Sequence, residues 1–414
     1  MTGGKTAKRA TRRAKGSDGA TMTADGRWRA TVSLSPDPAD GSRRRVTAVG
    51  ATRAQALKRA RDKALEIERG GIDPRGMPTV GEWLDRWVDG IVALRRAPNT
   101  TRSYRTRIGT DIRPVIGAVP LDRLRPSHIR AVENRIVLGD AKHGLKPRSG
   151  ATAAVTHSIL KTALDAAVAE GLIRTNPALA AEPPRTAPAR IDTLTPGQAA
   201  AVIRAETDPA WRIMWRLLFV LGLREGEAMG VTARELVRSD GLDCLLVEWQ
   251  LKEFDRDTVM PPGFEAIRLD GRAWLTRPKT RAGRRLIPLP ADLARDMRAY
   301  AAAHPVPDGT PMFRSRRGNP LRRQSLHDAW HRALDRAGMP RVRVHSARHT
   351  AATALARLGV SDLAREAIMG HADIGVTNTV YTHVDAGMLA GAIDGIDRLI
   401  DAGGATHTVA HERP

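Results

Sequence analysis

The chain has 414 residues, with 67 basic side chains against 45 acidic ones and a formal net charge of +22. This length leaves room for two or three domains, and so basic a balance favours a polyanionic partner. The single cysteine, Cys244, excludes an intrachain disulfide or a cysteine-rich zinc site, and it lies in an apolar run typical of a buried strand. No apolar run approaches the roughly eighteen residues of a membrane helix, and the N-terminus lacks the apolar region of a secretion signal. We therefore expect a cytoplasmic protein without membrane contact.

Residues 1–22 are a Lys/Arg/Gly/Thr-rich run with almost no apolar side chains, which predicts a disordered basic tail. From Arg27 the sequence RWRATVSLS alternates polar and apolar residues, as a half-buried strand does, and its outer face is basic. A turn at PDPADGS leads to a second strand, RRRVTAV, and the helix RAQALKRARDKALEIER follows Thr52. We predict a small N-terminal domain over residues 23–72, a three-stranded sheet backed by a helix.

The next block, residues 78–179, is typical of a helical domain. Thr79 and Glu82 have the spacing of a capping box before WLDRWVDGIVAL, and Asn99 is a candidate cap for TRSYRTRIGTDI. Ser127 is expected to begin a third helix. The stretch ATAAVTHSILKTALDAAVAE predicts a longer one.

Residues 180–190, LAAEPPRTAPA, have the proline-rich composition of an interdomain linker. The domain over residues 191–402 starts with a capping box of Thr195 and Gln198 and continues with a helical pattern. A new folding unit is therefore expected after the linker.

Residues 242–289 change to strand character, and the strands WLTR and RRLIPL are predicted to form a hairpin joined by PKTRAG. Helical patterns then return, and residues 403–414 are expected to be a flexible tail. The predicted fold is multidomain and mainly α, with an α+β domain after the linker.

Five features after Leu221 stand out by their order along the chain. An H-x-x-R match is expected by chance in so arginine-rich a sequence, an arginine beside a glutamate usually forms a surface ion pair, and a lone tyrosine is more often a core residue. Taken singly, each feature is a weak signal. They are Arg224 in LGLREGEAMGV, Lys279 in RPKTRAGRR, the pair His345 and Arg348 in VHSARHT, His371 in MGHAD, and Tyr381 in VYTHV.

Lys279 stands against the composition of its region. Arginine outnumbers lysine by 57 to 10, and the chain after residue 190 contains only two lysines, Lys252 and Lys279. Arginine cannot release a proton near neutral pH, whereas a lysine pKa of about 10.4 can be lowered by its surroundings. A lysine between two strands is usually just solvated, but its identity here favours a role in proton transfer.

His345 and His349 stand four residues apart on a predicted helix, a spacing that metal ligands use. A zinc site would need a third ligand and, for hydrolysis, a nearby carboxylate, and the H-E-x-x-H pattern is absent from the sequence. We therefore expect no metal and no other cofactor.

The five features acquire a common chemistry if they converge on one phosphodiester. Two arginines offer forked donors to the non-bridging oxygens, which gain charge as the phosphorus becomes five-coordinate. At a free pKa of about 10, only about one tyrosine in a thousand is phenolate at pH 7. Tyr381 as the nucleophile therefore needs a base, and His345 is the candidate.

The leaving group needs a proton as well. The 5′ oxygen leaves as a poor alkoxide unless it is protonated, which makes Lys279 the candidate general acid. His371 would add a hydrogen bond to the phosphate. The product would be a 3′-phosphotyrosyl bond of similar energy to the DNA bond it replaces, so the strand could be rejoined without ATP.

This half of the chain resembles the tyrosine recombinases, whose signature is Arg…Lys…His-x-x-Arg…His/Trp…Tyr in this order. LGLREGEAMGV resembles their first box, RPKTRAGRRLIPL their lysine hairpin, and HSARHTAATAL with GHADIGVTNTVYTHV their second box, over about residues 190–390. The resemblance implies catalytic roles for the residues already singled out, with Glu227 and His349 in support. Ser346 and Ala347 depart from the usual His-(Asp)-Leu-Arg-His, at positions without a catalytic role.

The preceding blocks fit the same family. Residues 78–179 resemble its helical, SAM-like core-binding domain, and residues 23–72 resemble the arm-type DNA-binding domain of phage-type integrases. The resemblance implies that double-stranded attachment sites, a homotetramer on DNA, and accessory DNA-bending and directionality proteins are the partners. It also implies phosphate contacts from the side chains of Arg27, Arg29, Arg43, Arg44 and Arg45.

After Tyr381, the segment GMLAGAIDGIDRLI places apolar side chains along one helix face. Packing on the chain's own core and docking on a neighbouring protomer both account for this face, and both remain open from the sequence. The apolar residues are Leu389, Ile393, Ile396 and Ile400.

The leading hypothesis is a site-specific DNA recombinase, the integrase of a phage or other mobile element. The alternatives are a type IB topoisomerase-like enzyme that relaxes DNA, a resolvase-type recombinase, and a catalytically silent DNA-binding protein. The N-terminal module favours an integrase over a resolvase, which commonly lacks it. A silent protein would not need Lys279 or Tyr381.

Overall fold

The structure is a computed structural model that describes residues 19–36, 42–68, 77–186, 192–278, 283–370 and 385–406. Its contacts divide the chain into two units, residues 1–188 and 189–414, which are described separately. The part of the chain that the structure describes contains no helix with the length and apolar character needed to cross a lipid bilayer. Helices dominate both units, and three small sheets accompany them.

The first unit opens with a three-stranded antiparallel sheet of β1 Gly19–Met22, β2 Trp28–Ser33 and β3 Arg45–Gly50, in the order β1-β2-β3. One helix, α1 Arg53–Glu68, backs this sheet. Along β2, Ala30 and Val32 are buried while Arg29 is exposed, which is the alternation that the sequence predicts. Ala56 and Ala60 of the helix are fully buried against these strand residues.

The predicted tail over residues 1–22 is wrong at its C-terminal end, where Gly19–Met22 form a strand. This strand pairs antiparallel with β2, and Ala20 joins the small core beneath the sheet. Composition predicted disorder because it counts side chains, whereas this edge strand is stabilised mainly by main-chain hydrogen bonds. Residues 1–18 lie outside the described residues.

The rest of the first unit is helical, around a core that includes Trp83, Ile112 and Leu160. The predicted capping box is confirmed, because the Thr79 hydroxyl accepts from the main chain of Glu82 and the Glu82 carboxylate accepts from the Thr79 N–H at 2.8 Å. The α-helices are α2 Val80–Trp87, α3 Ala93–Arg95, α4 Pro98–Arg107, α5 Arg113–Ile116, α6 Pro126–Leu138 and α7 Gly150–Ala169. Two π-helical turns, Val88–Val92 and Ile108–Ile112, and three 3₁₀ turns, Leu121–Arg123, Ala141–His143 and Pro177–Ala180, connect them.

Two predicted helix starts in this unit are wrong by one or two positions. Asn99 lies inside α4, which begins at Pro98, and Ser127 lies inside α6, which begins at Pro126. A proline suits the first helical position, because its φ is already helical and its missing N–H would have no partner there. In both helices this preference decides the first residue.

Asp111 is fully buried among these helices. Its carboxylate accepts hydrogen bonds from Arg148 at 2.5 Å, Arg107 at 3.2 Å and the Thr110 hydroxyl at 2.8 Å. Burial by itself raises the pKa of Asp111, but these donors outweigh burial and hold that pKa below its ordinary value. The charged carboxylate therefore ties the second π-helical turn to the residues just before α7.

The second unit surrounds a larger core that includes Trp215, Phe219 and Trp330. The capping box predicted at Thr195 and Gln198 is present and begins its first helix. The α-helices are α8 Pro196–Ala205, α9 Pro209–Phe219, α10 Glu225–Gly230, α11 Ala291–Ala303, α12 Arg323–Arg336, α13 His345–Arg357, α14 Asp362–Met369 and α15 Ala386–Thr406. The strands are β4 Leu236–Ser239, β5 Leu242–Val247, β6 Gln250–Glu253, β7 Ala266–Arg268, β8 Ala273–Thr276 and β9 Arg285–Pro288, with a 3₁₀ turn at Ala233–Glu235. Cys244 is buried in β5, as expected.

The predicted hairpin of WLTR with RRLIPL is wrong for the described strands, because β8 and β9 belong to different sheets. The sheet orders are β4-β5-β9 and β6-β8-β7. The run CLLVEWQL is divided at Glu248 and Trp249 into β5 and β6, and each half takes its own antiparallel partner. The local sequence indicated two strands and a short connection, but it did not indicate that these strands pair with different halves of CLLVEWQL.

The C-terminal helix α15 packs on the core of its own unit. Ile393, Ile396 and Ile400 are buried, with exposures of 0%, 0% and 3%. Arg216 of α9 also binds Asp397 of α15, at 2.9 Å. Packing within the chain is thus confirmed for this face, and docking on a neighbouring protomer stays a prediction.

The tail predicted from residue 403 is wrong for residues 403–406, because α15 continues to Thr406. Adding a residue to an existing helix forms one hydrogen bond for one residue ordered, so a helix extends beyond its last packed side chain. Residues 407–414 lie outside the described residues.

Replacing Asp111 with alanine should lower the free energy of unfolding by about 3 kcal/mol, because Arg107 and Arg148 would lose a buried partner. Urea denaturation measures this difference. Asp89→Ala is the matched control, since Asp89 also binds an arginine, at 2.7 Å, but its side chain is 66% exposed. The control should cost less than about 1 kcal/mol. If both variants lose the same free energy of unfolding, burial does not account for the contribution of Asp111.

Candidate active site

Arg348 lies on α13 with its guanidinium directed into the unit, and the residue is only 3% exposed. Its Nη1 donates to the carbonyl of Gly222 at 2.6 Å, and its Nη2 donates to the carbonyl of Met369. Burial, followed by the charges of Arg224 and Arg285, lowers the pKa of Arg348 to about 9. The side chain is still cationic near neutral pH.

Arg224 immediately precedes α10 and is more accessible, with a side chain 38% exposed. Its Nη1 donates to Glu227 at 2.8 Å, and its main-chain N–H donates to the other oxygen of the same carboxylate at 3.1 Å. Its Nη2 donates to the carbonyl of Gly370 at 2.9 Å. The two terminal nitrogens of the guanidinium are therefore held in place, one by a carboxylate and the other by a carbonyl at the end of a helix.

Glu227 binds a second arginine as well. Nη2 of Arg285 on β9 donates to its Oε2 at 3.0 Å, and both residues are buried. Burial raises the pKa of Glu227, but Arg285 and then Arg224 outweigh it, so this pKa lies below its ordinary value. One buried carboxylate thus holds two guanidinium groups beside each other.

Arg224, Arg285 and Arg348 all bind the end of α14. Nε of Arg285 donates to the carbonyl of Ile368 at 2.7 Å, so residues 368, 369 and 370 each accept from a different arginine of the cluster. The last carbonyls of a helix have no partner within it and carry partial negative charge. We call Arg224, Arg285 and Arg348 the arginine cluster. With Glu227 it has a net positive charge, which suits a bound anion.

His345 is the first residue of α13, three positions before Arg348, so the two side chains lie on one face of the helix. Its ring packs edge-on against His349, with centroids 4.7 Å apart. Partial desolvation, then the charges of His349 and Arg348, lower the pKa of His345. The ring is exposed and is neutral over a wider pH range than a free histidine.

Three of the sequence-predicted site residues lie outside the described residues. Lys279 belongs to residues 279–282, and His371 and Tyr381 belong to residues 371–384. The described chain ends beside these segments at Pro278, Gly283 and Gly370. His371 directly follows Gly370, whose carbonyl is bound to the arginine cluster.

Among the described ranges, no group of three histidine, cysteine, aspartate or glutamate side chains is arranged to hold a metal ion. His345 and His349 form a pair without a third ligand in those ranges. The described site presents guanidinium and imidazole groups from Arg224, Arg285, Arg348 and His345.

The candidate DNA-contact arginines lie in the first unit. Arg29 and Arg45 are exposed in neighbouring strands, in which Arg29 pairs with Val49 and Arg45 pairs with Ser33. Arg27 binds Asp25 at 2.7 Å. Arg43 and Arg44 precede β3, with Arg43 exposed and Arg44 half-buried.

The amino-acid sequence is similar to those of known proteins. The phage integrase family model matches residues 264–388. An integrase from Saccharopolyspora erythraea is 28% identical over 369 residues, covering 77% of this chain and 83% of that protein. A XerC-like tyrosine recombinase from Caldanaerobacter subterraneus subsp. tengcongensis is 22% identical, over 90% of this chain and 96% of that protein. The chain belongs to the tyrosine recombinase family.

The structure comparison agrees on the fold. The Tn1549 transposon integrase, solved in complex with a circular intermediate DNA, matches with a TM-score of 0.57 and 20% identity, over 77% of this chain and 99% of that chain. Enzymes of the tyrosine recombinase family cleave and rejoin DNA strands.

Sequence reasoning missed two residues of this recombinase's site. Arg285 had a detectable signal, because the alternation in RLIP puts it on the same buried side as Ile287, where a charge needs a partner. Lys252 on β6 is half-buried, and burial lowers its pKa, while Glu225 opposes that shift and Arg323 adds to it. Lys252 was noted only as the second lysine of the region, and its lowered pKa makes it a second candidate for the proton donor, beside Lys279.

Gly222 is expected to be required for the site of this recombinase. Its φ is +61°, and a Cβ there would stand 2.7 Å from Sδ of Met369, so Gly222→Ala should cost about 2–4 kcal/mol and displace the end of α14. Gly359→Ala is the control, since φ there is +69° but a Cβ would meet nothing within 4 Å. The control should lose about 1–2 kcal/mol in a denaturation assay and keep DNA cleavage. Similar cleavage by both variants would contradict the role of this contact.

Proposed function

We propose that the protein is the integrase of a phage or other mobile element, a site-specific recombinase that acts on double-stranded DNA through a 3′-phosphotyrosyl intermediate. The observation that carries the proposal is the arginine cluster at the end of α14. It brings Arg224 and Arg348 together, and the chain leads directly from there to His371 and on to Tyr381. The Saccharopolyspora relative, named an integrase, supports the same function.

Cleavage begins when neutral His345 accepts the proton of the Tyr381 hydroxyl, and the phenolate attacks the scissile phosphorus. The phosphorus becomes five-coordinate, and its non-bridging oxygens accept hydrogen bonds from Arg224 and Arg348. Each guanidinium has five N–H donors. The described contacts use two donors of Arg224 and two donors of Arg348. Donors therefore remain for phosphate without breaking the contacts that position the side chains.

The P–O5′ bond then breaks, and Lys279 transfers a proton to the departing 5′ oxygen while His371 donates to the phosphate. Tyr381 is left joined to the 3′ phosphate. The 5′ hydroxyl of another strand reverses these steps, with the tyrosine as leaving group. One phosphodiester is exchanged for another at each stage, so no nucleotide hydrolysis is needed.

Recombination joins two sites, and four copies of the chain on DNA supply one nucleophile for each of the four strands. The domain layout follows the family pattern, with residues 19–72 as the arm-type domain, 78–179 as the core-binding domain and 191–406 as the catalytic domain. Arg29 and Arg45 are the exposed strand residues proposed to contact phosphates. DNA-bending and directionality proteins would complete the assembly.

Replacing Tyr381 with phenylalanine should abolish covalent protein–DNA adducts, because the nucleophilic oxygen is removed. The substrate is a nicked suicide duplex made from the DNA that adjoins the gene, and denaturing electrophoresis detects the adduct. Tyr300→Phe is the matched control and should form adducts like the parent protein, since Tyr300 packs on His304 and Phe313. Adducts that survive Tyr381→Phe would contradict the proposal. Relaxation of plasmids without any attachment site would support the topoisomerase-like alternative.

The cleavage rate should fall on the acid side only below pH 6.5, the ordinary pKa of histidine, because a lowered pKa keeps His345 neutral to a lower pH. His349→Gln removes one charge that lowers this pKa, so the acid limb of the pH–rate profile should move to higher pH. His304→Gln is the control and should leave the limb in place, since His304 stacks on Tyr300 and is not among the charges that act on His345. An unchanged limb in His349→Gln would contradict this electrostatic account.

A further inference from the structure

The junction between β5 and β6, residues Glu248 and Trp249, lies next to the ends of β8 and β9. In the antiparallel registers, Val247 of β5 is opposite Arg285 of β9, and Gln250 of β6 is opposite Thr276 of β8. The connection from β8 to β9 therefore leaves and re-enters the sheets beside this junction. A Cβ on Gly283 would clash with Cβ of Pro278, so the two described ends of the connection are in contact.

A buried carboxylate gives the junction its conformation. Glu235 is 3% exposed, and its Oε1 accepts from the main-chain N–H groups of Glu248 at 3.0 Å and Trp249 at 3.2 Å. Its Oε2 accepts from the N–H of Thr232 at 2.7 Å. The two N–H groups that leave the sheet ladder at the junction are thereby satisfied, and the junction is a defined structure.

The Glu248 side chain binds both sides of the β8–β9 connection. Its Oε1 lies 2.7 Å from Nη1 of Arg277, before Lys279, and 2.7 Å from Nη2 of Arg284, after it. The Glu248 side chain is 19% exposed, so these ion pairs are screened less than fully exposed ones.

Arg277 has two further contacts with the same region. Its guanidinium lies over the ring of Trp249, 3.9 Å from the centroid, and its carbonyl accepts from Nε2 of Gln250 at 2.7 Å. The chain entering the Lys279 segment is therefore held by charge, stacking and a main-chain hydrogen bond. The chain leaving it is held by Glu248 through Arg284.

We propose that Glu248 is a positioning residue for Lys279, which it places by joining the two ends of the segment that carries this lysine. The inference rests on the proposed role of Lys279 as general acid. A proton donor acts only within hydrogen-bond reach of the atom it protonates, and a displacement of about 1 Å can cost about 100-fold in rate. Glu248 itself does not contact the reacting atoms in this proposal.

The test compares two forms of the suicide duplex that gives adducts with the parent protein. One has the normal 5′ oxygen at the scissile phosphate, and the other has sulfur in that bridging position. In the first, the 5′ oxygen takes the proton of Lys279 as the P–O bond breaks. In the second, the sulfur departs as a stable thiolate and needs no proton. A defect in proton donation therefore lowers the single-turnover rate only on the oxygen substrate.

Glu248→Gln should lower the rate at least about tenfold on the oxygen substrate and leave the rate on the sulfur substrate within about twofold. Lys279→Ala should show the same pattern with a larger loss. Glu265→Gln is the matched control, because Glu265 binds the same Arg277 at 2.8 Å without a described contact to Arg284. That variant should react like the parent protein on both substrates.

Equal losses of Glu248→Gln on the two substrates, or no loss on either, would overturn the inference. If that variant does not fold by circular dichroism, Arg284→Gln replaces it, with the same selective loss expected at smaller size and the same overturning results. Loss of both activities in Tyr381→Phe tests the proposed function separately. If Lys279→Ala is impaired equally on both substrates, Lys279 is not the proton donor and the positioning inference fails. Selective loss in Lys252→Ala would then identify the competing donor.

Discussion

The candidate site depends on one set of hydrogen bonds, in which three arginines bind three consecutive carbonyls at residues 368–370. Arg224, Arg285 and Arg348 come from the loop before α10, from β9 and from α13. Like charges repel at such short range, and the partial negative charge of the helix end, together with Glu227, offsets that repulsion. The contact therefore joins a loop, a strand and two helices at one point, and the described site residues are arranged around it.

The arrangement of the arginine cluster also suits the proposed phosphoryl transfer. A cluster held by main-chain carbonyls is oriented before any substrate arrives, which is the condition for electrostatic stabilisation of a phosphoryl transition state. The remaining net positive charge favours a phosphate. Burial is the main cause of the lowered pKa values of Arg348 and His345, and the neighbouring positive charges lower them further. Glu235 also binds the main chain of Glu248 and Trp249, and Glu248 binds Arg277 and Arg284 next to the ends of β8 and β9. Carboxylates thus hold arginine side chains both in the arginine cluster and at the junction between β5 and β6.

Local features of the fold were predictable from the sequence. The alternation in β2 and the capping boxes at Thr79 and Thr195 appear as expected, because each depends on a few neighbouring residues. The predictions were wrong where the structure depends on pairing between residues that are distant in the chain. Gly19–Met22 form a strand through pairing with β2, and WLTR and RRLIPL pair with the two halves of a divided strand instead of with each other.

The sequence by itself determined the types of the elements, the family resemblance and the order of the residues that carry the proposed chemistry, since periodicity, capping and residue identity are properties of short stretches. The tertiary structure alone decided which strands share a sheet, that Arg285 shares Glu227 with Arg224, and that Glu248 reaches both Arg277 and Arg284. These contacts join residues distant in the chain, and a buried charge becomes favourable only where folding brings its partner within hydrogen-bond distance.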